Sequence, residues 1–264
     1  MWFANKYIEF EKIAVSLKPT LASNRITAYI FIVFLLCPAL ISAQTSDTTS
    51  DRSTFTLQLN QDNSFNFFPV VSGTIPLKKH DLTFYAIFWT SPAFTNPDGS
   101  GSLIEAGVGM GFTKGNWYIN PYLGFTHGMF TNGRDQNGQG RPSLSEAIVP
   151  GIITFMKNEK LEAEIFCSLY KNLRKEVLPV TNYLFCWILP GIRWGKYFSS
   201  GLHYEQFIDI SGDVAVYSRY GIYGKVTFKD KYDLRLSGGL NYSPDSAGNK
   251  VQGDFYKLTV NIPF

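Results

Sequence analysis

Cysteine, histidine and charge are all scarce in this 264-residue chain, which has three Cys, three His and 17% charged residues. So few cysteines exclude a disulfide-dense scaffold and a thiolate metal cluster. A formal charge of +3 with no clustered basic stretch leaves no footprint for nucleic acid. After residue 41 no apolar run approaches the roughly eighteen residues of a membrane-spanning helix. Any crossing of a bilayer by the rest of the chain is therefore made by strands. What the chain has in quantity is 22 Phe, 15 Tyr and 23 Gly. Aromatic and glycine enrichment favours strands joined by tight turns.

The one long apolar run, Ile26 to Ile41, follows Lys18 and Arg25 and ends at Ser42-Ala43. A basic region, an apolar core and a small-residue end make a secretory leader. Residues 1–43 are expected to be a cleaved signal peptide, with 44–53 a flexible segment and 54–264 the folded domain. Pro38 and the Ile-Ser-Ala ending weigh against an uncleaved anchor. The leader holds Lys6, Lys12, Lys18 and Arg25 against Glu9 and Glu11, so its removal leaves the chain close to neutral.

From Thr54 onward the chain alternates with period two, the mark of strands with one apolar and one polar face. Ile104, Ala106, Val108, Met110 and Phe112 oppose Glu105, Gly107, Gly109 and Gly111. Leu161, Ala163, Ile165, Cys167 and Leu169 oppose Glu162, Glu164, Phe166, Ser168 and Tyr170. Short Lys-bearing turns at 78–81, 114–116, 157–160, 195–197 and 229–231 alternate with a compact link at 61–64 and longer links at 91–102, 131–144, 173–180, 209–213 and 244–252. This predicts an all-β fold, a single closed antiparallel barrel of about twelve strands with short turns at one end and longer loops at the other. Pro69, Pro121, Pro150 and Pro190 fall inside predicted strands, where bulges or later strand starts are expected. Residues 65–90 are apolar on both faces, so the pattern does not orient them.

The last stretch, Tyr256, Leu258, Val260, Ile262 and Phe264 at spacing two, closes the chain on an aromatic residue. With stretches such as FTLQLN (55–60), TFYAIFWTSP (83–92), GLHYEQF (201–207) and DFYKLTV (254–260), the chain resembles small Gram-negative outer-membrane β-barrels of an uncharacterised family. The resemblance implies an outer-membrane, porin-like location, contact with lipid and with the barrel-assembly machinery, and an assembly signal at Phe264. It carries no activity.

The polar faces nominate Glu105, Glu162, Glu164, Arg193, His203, Glu205, Arg219, Lys225, Asp233, Arg235 and Lys257 as lumen-lining residues. Tyr118, Asn120, Tyr122, Tyr183, Tyr217 and Tyr223 share that face. A small passive channel for some solute, or a structural barrel with a charged lumen, is expected, with no enzyme activity, cofactor or metal. Two alternatives stand beside it: a hydrolase using His203 and Glu205, and a soluble exported barrel binding an apolar ligand inside. Gly107, Gly109 and Gly111 lack the spacing and helix of a nucleotide loop and are expected to make room for bulky lumen neighbours. Cys167 and Cys186 sit at near mirror-image distances from the centre of 173–180. They are expected to be cross-strand neighbours, either a disulfide or two small lipid-facing residues.

Overall fold

The twelve amphipathic segments become twelve strands: β1 (Thr54–Asp62), β2 (Asn66–Pro76), β3 (Asp81–Trp89), β4 (Leu103–Lys114), β5 (Trp117–His127), β6 (Ala147–Lys157), β7 (Leu161–Asn172), β8 (Tyr183–Arg193), β9 (Phe198–Asp209), β10 (Val214–Phe228), β11 (Tyr232–Pro244) and β12 (Lys250–Pro263). The computed structural model describes residues 53–89, 103–128, 130, 144–174, 180–212, 214–229, 231–244 and 248–264. The expected leader, nearly all of 44–53 and most of links 91–102 and 131–144 lie outside the described residues.

Each strand pairs antiparallel with its neighbours in the chain, and β1 pairs with β12 to close the barrel. The seam runs from Thr56 opposite Pro263 to Asp62 opposite Lys257. Beyond it the Phe264 N–H donates to the Phe55 carbonyl at 2.9 Å. Closure matters because an open edge in hydrocarbon would leave N–H and C=O groups unpaired. The five predicted tight turns all lie at one end. In the β4–β5 turn Gly115 takes φ +56°, where a side chain would be strained.

Alternation sorts the faces as the pattern predicts. Val108, Leu202, Ile222 and Leu236 are 59–67% exposed on the outside, while Asn60, Glu105, Glu205 and Thr259 are buried inside. The apolar set of these alternating strands thus points outward. The two-sided apolar stretch at 65–90 is also explained. Phe68, Val70, Ile87 and Trp89 turn inward into an aromatic core, while Phe67, Val71, Ile75, Leu82 and Phe88 face out. Both sides are apolar because both environments are.

The strand prolines correct the expectation of bulges. Pro121 pairs with Ile152, while the β4–β5 ladder lapses between Gly109–Tyr122 and Phe112–Ile119 and resumes in the same register. Pro150 and Pro190 behave alike, pairing with Leu123 and Ala163 while the ladder on the other side lapses. Pro69 pairs with Leu59, and the β2–β3 ladder begins one residue later. In an antiparallel strand a residue's N–H and C=O point to one neighbour, so proline costs a bond on one side and needs no inserted residue. A register shift does occur between Ala215 and Tyr217, away from every proline. Cys167 stands directly opposite Cys186 on β7 and β8, and the two sulfurs form a disulfide on the outer face.

Candidate functional site in the barrel interior

Glycines on one strand let tyrosines of the next lie flat across the inner wall. A Cβ on Gly107 would stand 2.6 Å from Tyr85 Cε1, and one on Gly109 2.6 Å from Asn120 Oδ1. Gly124 likewise lies under Tyr85, Gly151 under Tyr122, Gly111 under Tyr118 and Gly191 under Tyr223. The expected room-making role of Gly107, Gly109 and Gly111 is what the geometry shows. Laid flat, the phenols reach partners on other strands. Tyr85 donates to Glu105 Oε1 at 2.8 Å, and Tyr170 donates to its Oε2 at 2.9 Å. Tyr122 and Ser168 share a hydrogen bond.

Two sets of charges bridge the lumen. At the level nearer the tight turns, Lys225 Nζ lies 2.6 Å from Glu162 Oε2, and Arg235 Nη1 lies 2.7 Å from Glu164 Oε2. Ser199, Tyr223 and Trp187 complete these carboxylates as donors. These side chains keep some exposure, 20% for Lys225 and 18% for Glu164. Closer to the long links, Glu205 accepts from Arg219, Lys257 and Tyr217, each at 2.8 Å. Arg219 also reaches Asp62 at 3.4 Å, and both of these side chains are 0% exposed, as is that of Glu205. Buried charges persist only when paired and hydrogen-bonded in this way. These pairs are chords: Glu164 on β7 reaches Arg235 on β11, and Asp62 on β1 reaches Arg219 on β10.

At the long-link end an aromatic layer fills the interior. Phe65, in the link between β1 and β2, is 2% exposed. It packs against Trp89 at 4.6 Å between ring centroids, Phe185 at 5.6 Å and Phe207 at 6.3 Å. Phe130, Tyr170 and Tyr183 extend the layer. With β2 opposite β8 in the ring of strands, side chains from facing walls meet in the middle.

The nominated residues divide accordingly. Glu162, Glu164, Glu205, Arg219, Lys225, Arg235 and Lys257 join the two charge clusters. His203 borders one of them, with Nε2 3.5 Å from Glu205 Oε2 and its ring 5.0 Å from that of Phe255. Glu105 stands apart with its tyrosines, and Asp233 accepts from Thr227 at 2.6 Å. Arg193 sits at the turn end, donating to the Asn158 carbonyl outside both clusters. The reading of the polar faces missed Asp62, although it continues the Gln58, Asn60 alternation. It also missed Phe65, for which a link residue offers no periodic signal. Ser168 and Tyr170, on the polar face of β7, bond there to Tyr122 and Glu105.

Residues 23–264 match the model of a family of unknown function (DUF6733). The chain belongs to this family. None of the curated proteins matches it. Among solved structures it is similar to an outer membrane channel from Pseudomonas putida F1, at 10% identity and TM-score 0.50, covering 84% of this chain and 100% of that one. It is also similar to the KdgM porin in complex with disordered oligogalacturonate, at 10% identity and TM-score 0.46, covering 80% and 99%. LpxR from Salmonella typhimurium is a further match at 7% identity and TM-score 0.43, covering 79% and 99%. The first of these likenesses shows a fold shared with an outer membrane channel.

Proposed function

We propose that this protein is an exported outer-membrane β-barrel whose interior is closed to passive diffusion in the conformation described. The observation that carries the reading is the meeting of Phe65 with Phe185 and Phe207 across the interior. The outward apolar faces support a lipid surround, since water-exposed apolar area of that extent would otherwise drive aggregation. Each tight turn carries an exposed lysine, Lys78, Lys114, Lys160, Lys196 and Lys229 among them. Such a rim suits the phosphates of lipid headgroups.

The test is reconstitution in planar bilayers with single cysteines at Leu236 and Arg235, in a background with Cys167 and Cys186 replaced by serine. Leu236→Cys, on the outer face, is expected to resist a water-soluble thiol reagent, and the inserted wild type to pass no steady current. Steady current through the wild type would sink the closed-lumen reading. Labelling of Leu236→Cys in the bilayer would sink the membrane reading.

Phe264, 72% exposed at the seam, is available to assembly machinery as the expected signal. Phe264→Ala is expected to lower the amount of folded barrel in bacterial outer membranes while leaving refolding in detergent unchanged. Equal loss in both would make its role one of stability.

The hydrolase reading has little support in this geometry. His203 is 3% exposed, and its candidate orienting carboxylate, Glu205, is already engaged by Arg219, Lys257 and Tyr217. His203→Phe is expected to change stability by about 1 kcal/mol or less. Phospholipid or peptide hydrolysis by the wild type, lost in this variant, would restore that reading.

A further inference from the structure

The link between β1 and β2 is the compact one among the connections at its end, and it folds inward. Asp62 Oδ1 accepts the backbone N–H groups of Ser64 at 2.7 Å and Phe65 at 2.5 Å, which turns the chain sharply. Arg219, on β10 three strands round the ring from β1, then grips three consecutive residues of this turn. Its Nη1 reaches Asp62 Oδ2 at 3.4 Å, and its Nη2 donates to Asn63 Oδ1 at 3.1 Å and to Ser64 Oγ at 2.5 Å. Glu205 holds the same guanidinium from behind at 2.8 Å, and the Tyr217 and Phe255 rings flank it at 4.5 and 5.2 Å. The outcome is that Phe65 projects into the centre of the aromatic layer.

Phe65 is thus placed by the Asp62 turn, by the Asn63 Nδ2 bond to the Asp254 carbonyl at 2.9 Å, and by Arg219 on a non-adjacent strand, which binds three consecutive residues of the link. Below the plug the lumen stays polar and partly exposed at Lys225, Glu164 and Arg235. We infer that the Asp62–Phe65 link is a plug latched by Arg219, and that release of the latch opens the barrel to small polar solutes. The inference rests on the closed-lumen reading above. Acids and bases alternate along the lumen, so the opened path would discriminate little by sign of charge.

Arg219→Lys is the informative change. It keeps the positive charge beside Glu205 but loses the planar fork that spans Asp62, Asn63 and Ser64. Losing charge-assisted bonds of this kind shifts a closed-to-open ratio by about tenfold or more. Val149, 0% exposed in the same aromatic core, serves as reporter when replaced by cysteine, a small change in volume. The full chain is made with Cys37→Ala, Cys167→Ser, Cys186→Ser and Val149→Cys, with and without Arg219→Lys, and folding is checked by circular dichroism. In bilayers the chain retaining Arg219 is expected to protect Val149→Cys and to be silent. Arg219→Lys is expected to show discrete openings and at least about tenfold faster labelling by a water-soluble thiol reagent. A variant with Phe65→Gly and Asn63→Gly and Arg219 intact is expected to reach the same open level without closing.

A folded Arg219→Lys barrel that stays silent and protected, while the Phe65→Gly/Asn63→Gly barrel conducts, would overturn the latch and leave the closed lumen standing. Silence of both would overturn the plug as well. Steady current before any of these changes would overturn the closed lumen itself, and the latch with it.

Discussion

Glu205→Ala is expected to leave the barrel too unstable to survive mild denaturant. Glu205 is the hub of the most deeply buried cluster, accepting from Arg219, Lys257 and Tyr217 at 2.8 Å each. Removing the carboxylate strands the Lys257 ammonium and leaves Arg219 with Asp62, at 3.4 Å, as its one carboxylate among the described residues, beside neutral Asn63 and Ser64. Breaking a buried ion pair from one side costs about 3–5 kcal/mol, out of a total domain stability of about 5–15 kcal/mol. Glu205→Gln keeps the volume and one acceptor oxygen, so its cost should be smaller, about 2 kcal/mol. Urea titrations of the refolded barrel, followed by tryptophan fluorescence, measure both. An alanine variant within about 1 kcal/mol of wild type would show that water reaches the cluster, since a solvated charge loses little with its partner.

A comparable loss is expected for Gly107→Val, for a different reason. A Cβ at residue 107 would stand 2.7 Å from the Leu123 carbonyl oxygen and 2.8 Å from Gly124 Cα, as well as 2.6 Å from Tyr85. Two of these three obstacles are backbone of β5 and cannot rotate away. Overpacking of this kind costs about 1–3 kcal/mol. A displaced Tyr85 would also leave the buried Glu105 short of a donor, at about 1–3 kcal/mol more. Gly124→Ala provides the internal comparison, because there the close obstacle is the Tyr85 hydroxyl. Tyr85→Phe should therefore recover much of the Gly124→Ala loss and little of the Gly107→Val loss. That non-additivity marks residues in direct contact. Gly253, with nothing within 4 Å of its Cβ position, should tolerate alanine. If Gly107→Val and Gly253→Ala behaved alike, the flat-lying tyrosines would not be packed as described.

Much of this architecture is legible in the residues themselves, because neighbouring strands of a meander are neighbours in sequence. Period two separates Ile104, Ala106 and Val108 from Glu105 and Gly107 without any knowledge of the fold. The symmetric placement of Cys167 and Cys186 about a single link announces their pairing across β7 and β8. The same locality explains a misreading. A proline inside a strand signals a lost donor, but the sequence does not say which neighbour loses the bond. Pro121 and Pro190 proved to interrupt one ladder and keep the other, with no bulge.

The sequence by itself determined the strand count, the closed barrel and, outside residues 65–90, most of the side chains that face inward, since these follow from alternation and turn chemistry. Only the tertiary structure decided which of those side chains meet. Glu164 finds Arg235 across four strand positions, and Asp62 finds Arg219 through the seam. Such chords depend on barrel curvature and stagger, for which no local pattern codes. Phe65 is the sharpest case. It lies in a link, outside any periodic segment, yet it packs among rings of β3, β8 and β9, and the turn before it is bound by an arginine more than 150 residues away.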